Sequence, residues 1–413
     1  MIVFYHLFRM LYRGAIGIAA LWEPKARRWV QGRRNWKEQL AAAGFDGRSA
    51  DTVWMHCASL GEFEQGRPVL EALRKAYPTL RILVTFFSPS GYEVRRRHPA
   101  ADFVLYLPFD GPANAAAFLN RVQPRLALFV KYEFWHFYLE ALQQRGIPAV
   151  LVSGIFRPGQ PFFQPWGGFH RQMLQRFAHL FVQEGVSRVL LEGIGLGERT
   201  SVAGDTRFDR VVALARQQEP IPAVEGFIDG RRVLVAGSTW PQDEALLISW
   251  YEKNRSQWQL ILAPHEIHAS HLQQLQAGLP GCVRYADLEE HPAAADVLLV
   301  DRIGLLSRLY RYAAVCYVGG GFNKSGHHNI LEAAVYGKAV ITGPVFEKFR
   351  ESVELKQCGG SFLVHNAEEL AQVLAGSDLA KGGTRAGAYV QEHTGATARV
   401  LAWIQEKRLF TSA

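Results

Sequence analysis

Short runs of apolar residues, rich in β-branched side chains, alternate along the chain with longer stretches of helical periodicity. In the first half the runs fall at 53–57, 81–87, 103–106, 126–130, 149–152 and 180–183. Between them, 64–76, 113–122 and 134–145 repeat apolar positions at helical spacing. After residue 216 the pattern breaks into a stretch rich in Pro, Gly and acids. It then restarts at 232–236, 259–263, 297–300, 314–318, 339–341 and 361–364. Continuous apolar runs separated by helices belong to parallel strands buried on both faces. The sequence therefore predicts two doubly wound α/β domains, 38–216 and 231–413, joined by a linker at 217–230, with the last helix free to pack back on the first domain. Ligands of such sheets bind beyond the carboxyl ends of the strands, so the expected site is a crevice between the domains.

Residues 1–22 follow another pattern. They are mainly apolar, but the longest uncharged stretch, Gly14 to Trp22, has nine residues. A bilayer span takes about 20. On a helical wheel His6, Arg9 and Arg13 share one narrow stripe and the rest is apolar. That suits a helix lying in a membrane interface, with the basic run 25–37 against anionic headgroups. A first helix packed on the protein's own core and a tilted span with snorkelling arginines are the alternatives. The arginines interrupt the apolar region and argue against a cleaved signal peptide.

Charge sharpens this division. The 413 residues carry a net +8, and residues 1–37 hold +7 of it: eight basic side chains against one acid, Glu23. The body is nearly neutral, which disfavours nucleic acid as a partner. At 48% hydrophobic and 20% charged the chain is neither disordered nor fibrous. Cys57, Cys282, Cys316 and Cys358 lack metal or redox spacing and read as small core residues in a reducing compartment.

Candidate chemistry clusters just beyond predicted strands. A strand ends in Gly319, Gly320 and Gly321, followed by a polar loop with Gly326 and a helix opening near His328 and Asn329. Glycine N–H groups and a helix start can cradle an anion, and Glu332 in the first turn can accept from ribose hydroxyls. Neither a dinucleotide fingerprint nor a P-loop is present there. After the first strand come Ser59, Gly61 and Glu62, at the spacing of a capping box. In the functional reading Glu62 is a general base on a hydroxyl. Lys131 and Glu133 follow the strand 126–130, and Arg207 is placed to meet a phosphate or carboxylate. Ser238 and Thr239, Pro264 and His265, and Asp301 each follow a strand of the second half. No cluster has convincing metal spacing, and no nucleophile elbow appears where a hydrolase needs one.

Taken together, these motifs resemble the 3-deoxy-D-manno-octulosonic acid (Kdo) transferases of lipopolysaccharide synthesis. The matching pieces are Ser59 to Glu62, Glu133 to Trp135, Gly204 to Asp209, Ala263 to His265, Asp301 with Gly304, Gly319 to Glu332, and Gly343-Pro344, in family order. The resemblance implies a GT-B fold, with the acceptor bound mainly in the first Rossmann-like domain and the donor in the second. It implies CMP-Kdo as donor, a lipid A precursor as acceptor, inversion at the anomeric centre, and no metal or other cofactor. Glu62 matches the family's general base, and Asn329 and Glu332 its nucleotide-binding helix start. The implied location is the cytoplasmic face of the inner membrane, against anionic lipids. Many members carry Glu where Lys131 stands, Lys where Arg207 stands, an Arg within the motif that His265 occupies, and Glu where Leu305 stands. Another GT-B glycosyltransferase or epimerase with a soluble substrate leaves the amphipathic start unexplained. A non-catalytic, membrane-associated nucleotide-sugar-binding protein is the rival from another class.

Overall fold

The computed structural model describes residues 2–46, 51–217, 219–290 and 295–410. The chain divides into two units, Met1–Asp209 with Thr394–Ala413, and Arg210–His393.

The first unit is built on a parallel sheet: β1 (Thr52–Cys57), β2 (Arg81–Phe86), β3 (Phe103–Tyr106), β4 (Leu126–Val130), β5 (Ala149–Gly154), β6 (His179–Val182) and β7 (Thr200–Val202), in the order β3-β2-β1-β4-β5-β6-β7. Every residue of β1 and β4 is buried, because helices cover both faces. Leu40, Phe118 and Tyr138 lie in the cluster on one side. Val69, Leu73, Val400 and Ile404 lie in that on the other, the last two from the terminal helix Ala396–Glu406. Asp209 fixes that helix, accepting from the N–H groups of Gly395 (2.5 Å) and Thr397 (2.7 Å).

Four helices of this unit bear on its chemistry: α1 (Ile2–Ala19), α2 (Pro24–Gly32), α3 (Trp36–Ala42) and α4 (Leu60–Ala76). α4 approaches the sheet closely at Gly66, where a Cβ would stand 2.8 Å from Val130 and 2.9 Å from the Met55 sulfur.

The second unit carries β8 (Arg232–Thr239), β9 (Trp258–Pro264), β10 (Cys282–Arg284), β11 (Val297–Leu299), β12 (Val315–Val318), β13 (Val340–Thr342) and β14 (Ser361–Leu363). Their order is β10-β11-β9-β8-β12-β13-β14, again all parallel. In each sheet the winding reverses once, between β1 and β4 and between β8 and β12. Such switch points open a crevice at the carboxyl ends of the strands.

Several expectations need correction. The stretch 217–230 contains a helix, Pro222–Phe227, with Val224 and Phe227 buried in the second unit; its position 218 lies outside the described residues. β7 and β10 were not expected, since three-residue edge strands leave little periodic signal. Cys57 and Cys316 are buried, but Cys282 is only partly so and Cys358 is exposed, because it caps the helix Arg350–Gln357 at its solvent end.

The sequence left open which side of α1 turns inward. His6 and Arg9 of its polar stripe face the protein, while Arg13 is exposed. Tyr5 donates to Asp110 (2.6 Å), Arg9 lies over the rings of Phe137 and Phe109, and Tyr12 stacks on Phe109. The apolar side faces outward: Phe4 is 72% exposed, Phe8 61%, Met10 72% and Leu11 64%. Phe109, in the loop after β3, and Phe137, in the helix His136–Gln144, receive Arg9 as a cation–π partner, and the apolar side is left outside. Among the described residues no helix is long and apolar enough to cross a membrane.

Candidate active site

At the first switch point the turn after β1 brings Glu62 to the third position of α4, with Ser59 as N-cap. The expected capping box does not form in its usual way, because the main bond of Glu62 is shifted to the residue before the N-cap. The Ser59 hydroxyl makes no cap bond, while Glu62 Oε2 accepts from the Ala58 N–H at 2.5 Å. Gly61 is exposed beside it. Burial first, and then the Glu133 charge, push the Glu62 carboxyl up from its ordinary 4.5 to about 8. The Ala58 and Ser59 N–H groups and the Lys131 ammonium pull the other way. Lys131 and Glu133 therefore both act on Glu62 from across the switch point, where they follow β4. Lys131 adopts a left-handed φ of 62°, which turns the chain sharply at the strand end.

Glu133 is held on its inner side. Its Oε2 accepts from Trp135 Nε1 (2.6 Å) and lies 2.9 Å from His56 Nε2. His56 is fully buried, and its Nδ1 is 2.9 Å from Thr85 Oγ1, which accepts from Trp54 Nε1. His56 was missed in the sequence because its partner is 77 positions away; a buried polar residue inside an apolar strand was the available signal. Arg207 does not project freely. Its Nε donates to Asp205 Oδ2 at 2.8 Å, and its N–H to Asp205 Oδ1, so the expected phosphate contact would have to compete with that ion pair.

The second unit gathers its candidates at the edge formed by β11, β9, β8 and β12. The three glycines serve close packing more than anion binding. A Cβ on Gly319 would come within 2.5 Å of the Ser238 carbonyl, and one on Gly321 within 2.5 Å of Gly343. The Gly319 N–H donates to Gly237 and the Gly320 N–H to Asp243. Two of the three expected cradle donors are thus committed. The expected helix at His328 and Asn329 begins only at Leu331 and runs to Ala334, too short to gather a useful dipole.

What the sequence did not reveal here is a group of flat rings. Trp240 stacks on His265 (centroids 4.7 Å apart) and His265 on His328 (4.3 Å). Trp240 Nε1 donates to His328 Nε2 at 3.2 Å. Burial, with His265 and His327 nearby, lowers His328 to about 4, so its ring is neutral at pH 7. Rings of this kind suit a nucleobase. Asp243 organises the turn: it accepts from Trp240 N–H, Gly320 N–H and Tyr317 Oη. Thr239 donates to Glu244 (3.1 Å), and Ser238 takes a left-handed φ of 52°. Pro264 ends β9. Asp301, beyond β11, accepts from the Ala286 N–H. Gly326 has a φ of 85° and faces Phe349. Glu332 accepts from Asn329 Nδ2 (3.1 Å); burial raises its proton affinity, and Asn329 and then Arg210 offset this. Among the described residues no group of three or more His, Cys, Asp or Glu is arranged to hold a metal ion.

Comparison with known proteins adds to this geometry. The family model described as 3-deoxy-D-manno-octulosonic-acid transferase (kdotransferase) matches residues 34–210. A 3-deoxy-D-manno-octulosonic acid transferase of Bordetella pertussis is 29% identical, over 96% of this chain and 97% of its own. A bifunctional glycosyltransferase/methyltransferase of Fusobacterium nucleatum is 25% identical over 80% of the chain, which spans only 53% of that relative's length. Among solved structures, the UDP-GlcNAc 2-epimerase of Neisseria meningitidis superposes with a TM-score of 0.59 at 15% identity, covering 86% of this chain and all of its own. At that identity the likeness speaks for the fold alone, which is GT-B.

Proposed function

The chain belongs to the Kdo transferase family, and on that premise we propose that it moves Kdo from CMP-Kdo to a lipid A precursor, lipid IVA, with inversion at the anomeric carbon. The observation that carries the chemistry is the Glu62 carboxyl. It lies at a switch point, on the first turn of α4, and burial and Glu133 hold its proton affinity near pH 8. A base of that strength is matched to a hydroxyl near neutral pH. In the proposed reaction the acceptor oxygen attacks the Kdo anomeric carbon as its proton passes to Glu62. The bond from that carbon to the phosphate oxygen breaks, and CMP leaves with the electron pair.

The edge at β8 and β12 is proposed to hold the nucleotide. The Trp240, His265 and His328 rings suit the base, and Glu332 suits the ribose hydroxyls. No cofactor takes part in this reading. The lipid acceptor explains α1. Its outward apolar face and the +7 of residues 1–37 support peripheral seating on the anionic cytoplasmic face of the inner membrane.

Glu62→Gln tests the reading. The swap keeps an oxygen for the Ala58 N–H but cannot take a proton. Single-turnover transfer should fall by about 10²–10⁴-fold with CMP-Kdo binding retained. A variant within about threefold of the parent, far short of that range, removes Glu62 as the base.

A further inference from the structure

Within the first unit, α1, α2, α3 and the loop after β3 line a half-open cavity of about 400 Å³. Its walls include Arg13, Trp29, Arg33, Arg34, Trp36 and Phe109, so three arginines line one aromatic space, Arg13 and Arg34 from exposed positions at its rim. Arg33 is the unusual one. Its Nε, Nη1 and Nη2 donate to the backbone carbonyls of Leu107, Trp29 and Phe87 (2.9, 3.1 and 2.7 Å), and its cation lies 3.9 Å from the Trp29 ring centroid. Among the described residues Arg33 is met by backbone carbonyls and aromatic rings rather than by a carboxylate. A buried cation without an anion is costly unless something compensates it. A second observation points the same way. Trp29 is 93% buried and its Nε1–H has no hydrogen-bond partner. A buried donor left unmade is itself unfavourable.

An anion with several acceptor oxygens would satisfy both at once. The cavity also reaches α1 at Gly17, where a Cβ would meet nothing within 4 Å. Gly17 precedes Ile18, and Leu21 and Trp22 follow; all three are exposed. An occupant would therefore have its charge among the arginines and its apolar part along aromatic and aliphatic surface.

We propose that this cavity binds the phosphate group of an anionic membrane lipid, clamped by Arg13, Arg33 and Arg34 with Trp29 Nε1 as an added donor. Its role is to fix how the first unit is seated on the bilayer. It is distinct from the transfer chemistry and extends the membrane reading of α1.

The test is isothermal titration of the full chain, without donor or acceptor, using dihexanoyl phosphatidylglycerol below its micelle concentration. Saturable binding is expected, tighter than for inorganic phosphate titrated in parallel. Three changes should each weaken it about tenfold, the scale of one lost charge-assisted bond: Trp29→Phe, which keeps the ring and the charge; Gly17→Leu, which fills space while favouring the helix; and the pair Arg13→Gln with Arg34→Gln. Lys25→Gln with Arg28→Gln removes equal charge from positions on α2 that do not line the pocket and should leave affinity within about twofold, since a screened charge away from the site contributes little. The proposal is overturned if no saturable binding occurs. It is also overturned if the cavity variants bind like the parent, or if both charge pairs lose affinity equally. Inorganic phosphate binding as tightly as the lipid would overturn the lipid assignment. None of these results bears on Kdo transfer, which the Glu62→Gln kinetics test separately.

Discussion

Glu62 holds its proton because three features meet at one turn: burial, the Glu133 carboxylate, and only partial relief from Lys131 and two N–H groups. A base must be ionised to act, so kcat/KM should rise with pH, with a midpoint near 8 in the free protein. Glu133→Gln removes a repelling charge and should move that midpoint to lower pH, while Lys131→Met should move it higher. A pH–rate profile unmoved by both changes contradicts the assignment. The same shift has a stability consequence. A carboxyl raised in the folded state favours folding fully below its ordinary 4.5, and this contribution is lost as pH rises through about 8. Glu62→Gln should therefore raise the thermal midpoint at pH 9 relative to the parent and change it little at pH 4. Glu62 was legible in the sequence because serine and glutamate three apart after an apolar run have a local meaning. His56 was not, because its role lies in a contact with Glu133, in the loop after a different strand.

At the scale of elements, α1 shows how periodicity fixes a helix's faces without fixing which face turns inward. The His6, Arg9 and Arg13 stripe was legible, but its direction depends on Phe109, from the loop after β3, and Phe137, from the helix His136–Gln144, both far away in sequence. Since Phe4, Phe8 and Leu11 touch solvent, changing all three to Ser should leave the thermal midpoint within a degree or two. Each large apolar side chain contributes about 1.5–3 kcal/mol when buried, so vesicle partitioning should fall by well over tenfold. Unchanged flotation with anionic vesicles contradicts membrane seating through this face. The terminal helix offers a second element-scale test. Asp209 satisfies its first N–H groups, and Asp209→Ala should cost about 0.5–2 kcal/mol, read as a lower denaturation midpoint with kcat nearly intact. That Asp209 lies in a motif matching the family did not reveal this capping role, which spans 186 positions.

At the scale of the molecule, both sheets were legible as buried parallel strands, because strands covered on both faces read as near-continuous apolar runs. Their switch points were not, since strand order is set by which neighbours pair rather than by any one run. Those switch points decide where chemistry gathers: Glu62, Lys131 and Glu133 at one, Ser238, Thr239 and the triple glycine at the other. The glycines illustrate the limit of motif reading. Glycine permits an anion or a close backbone approach, and here Ser238 and Gly343 supply the approach. The most direct test of Kdo transfer is to incubate the purified full chain with CMP-Kdo and lipid IVA and weigh the lipid by mass spectrometry while following CMP. Transfer predicts lipid heavier by whole Kdo residues, with CMP released only when lipid is present. Lipid of unchanged mass alongside intact CMP-Kdo, with the protein folded and seated on vesicles, would contradict it.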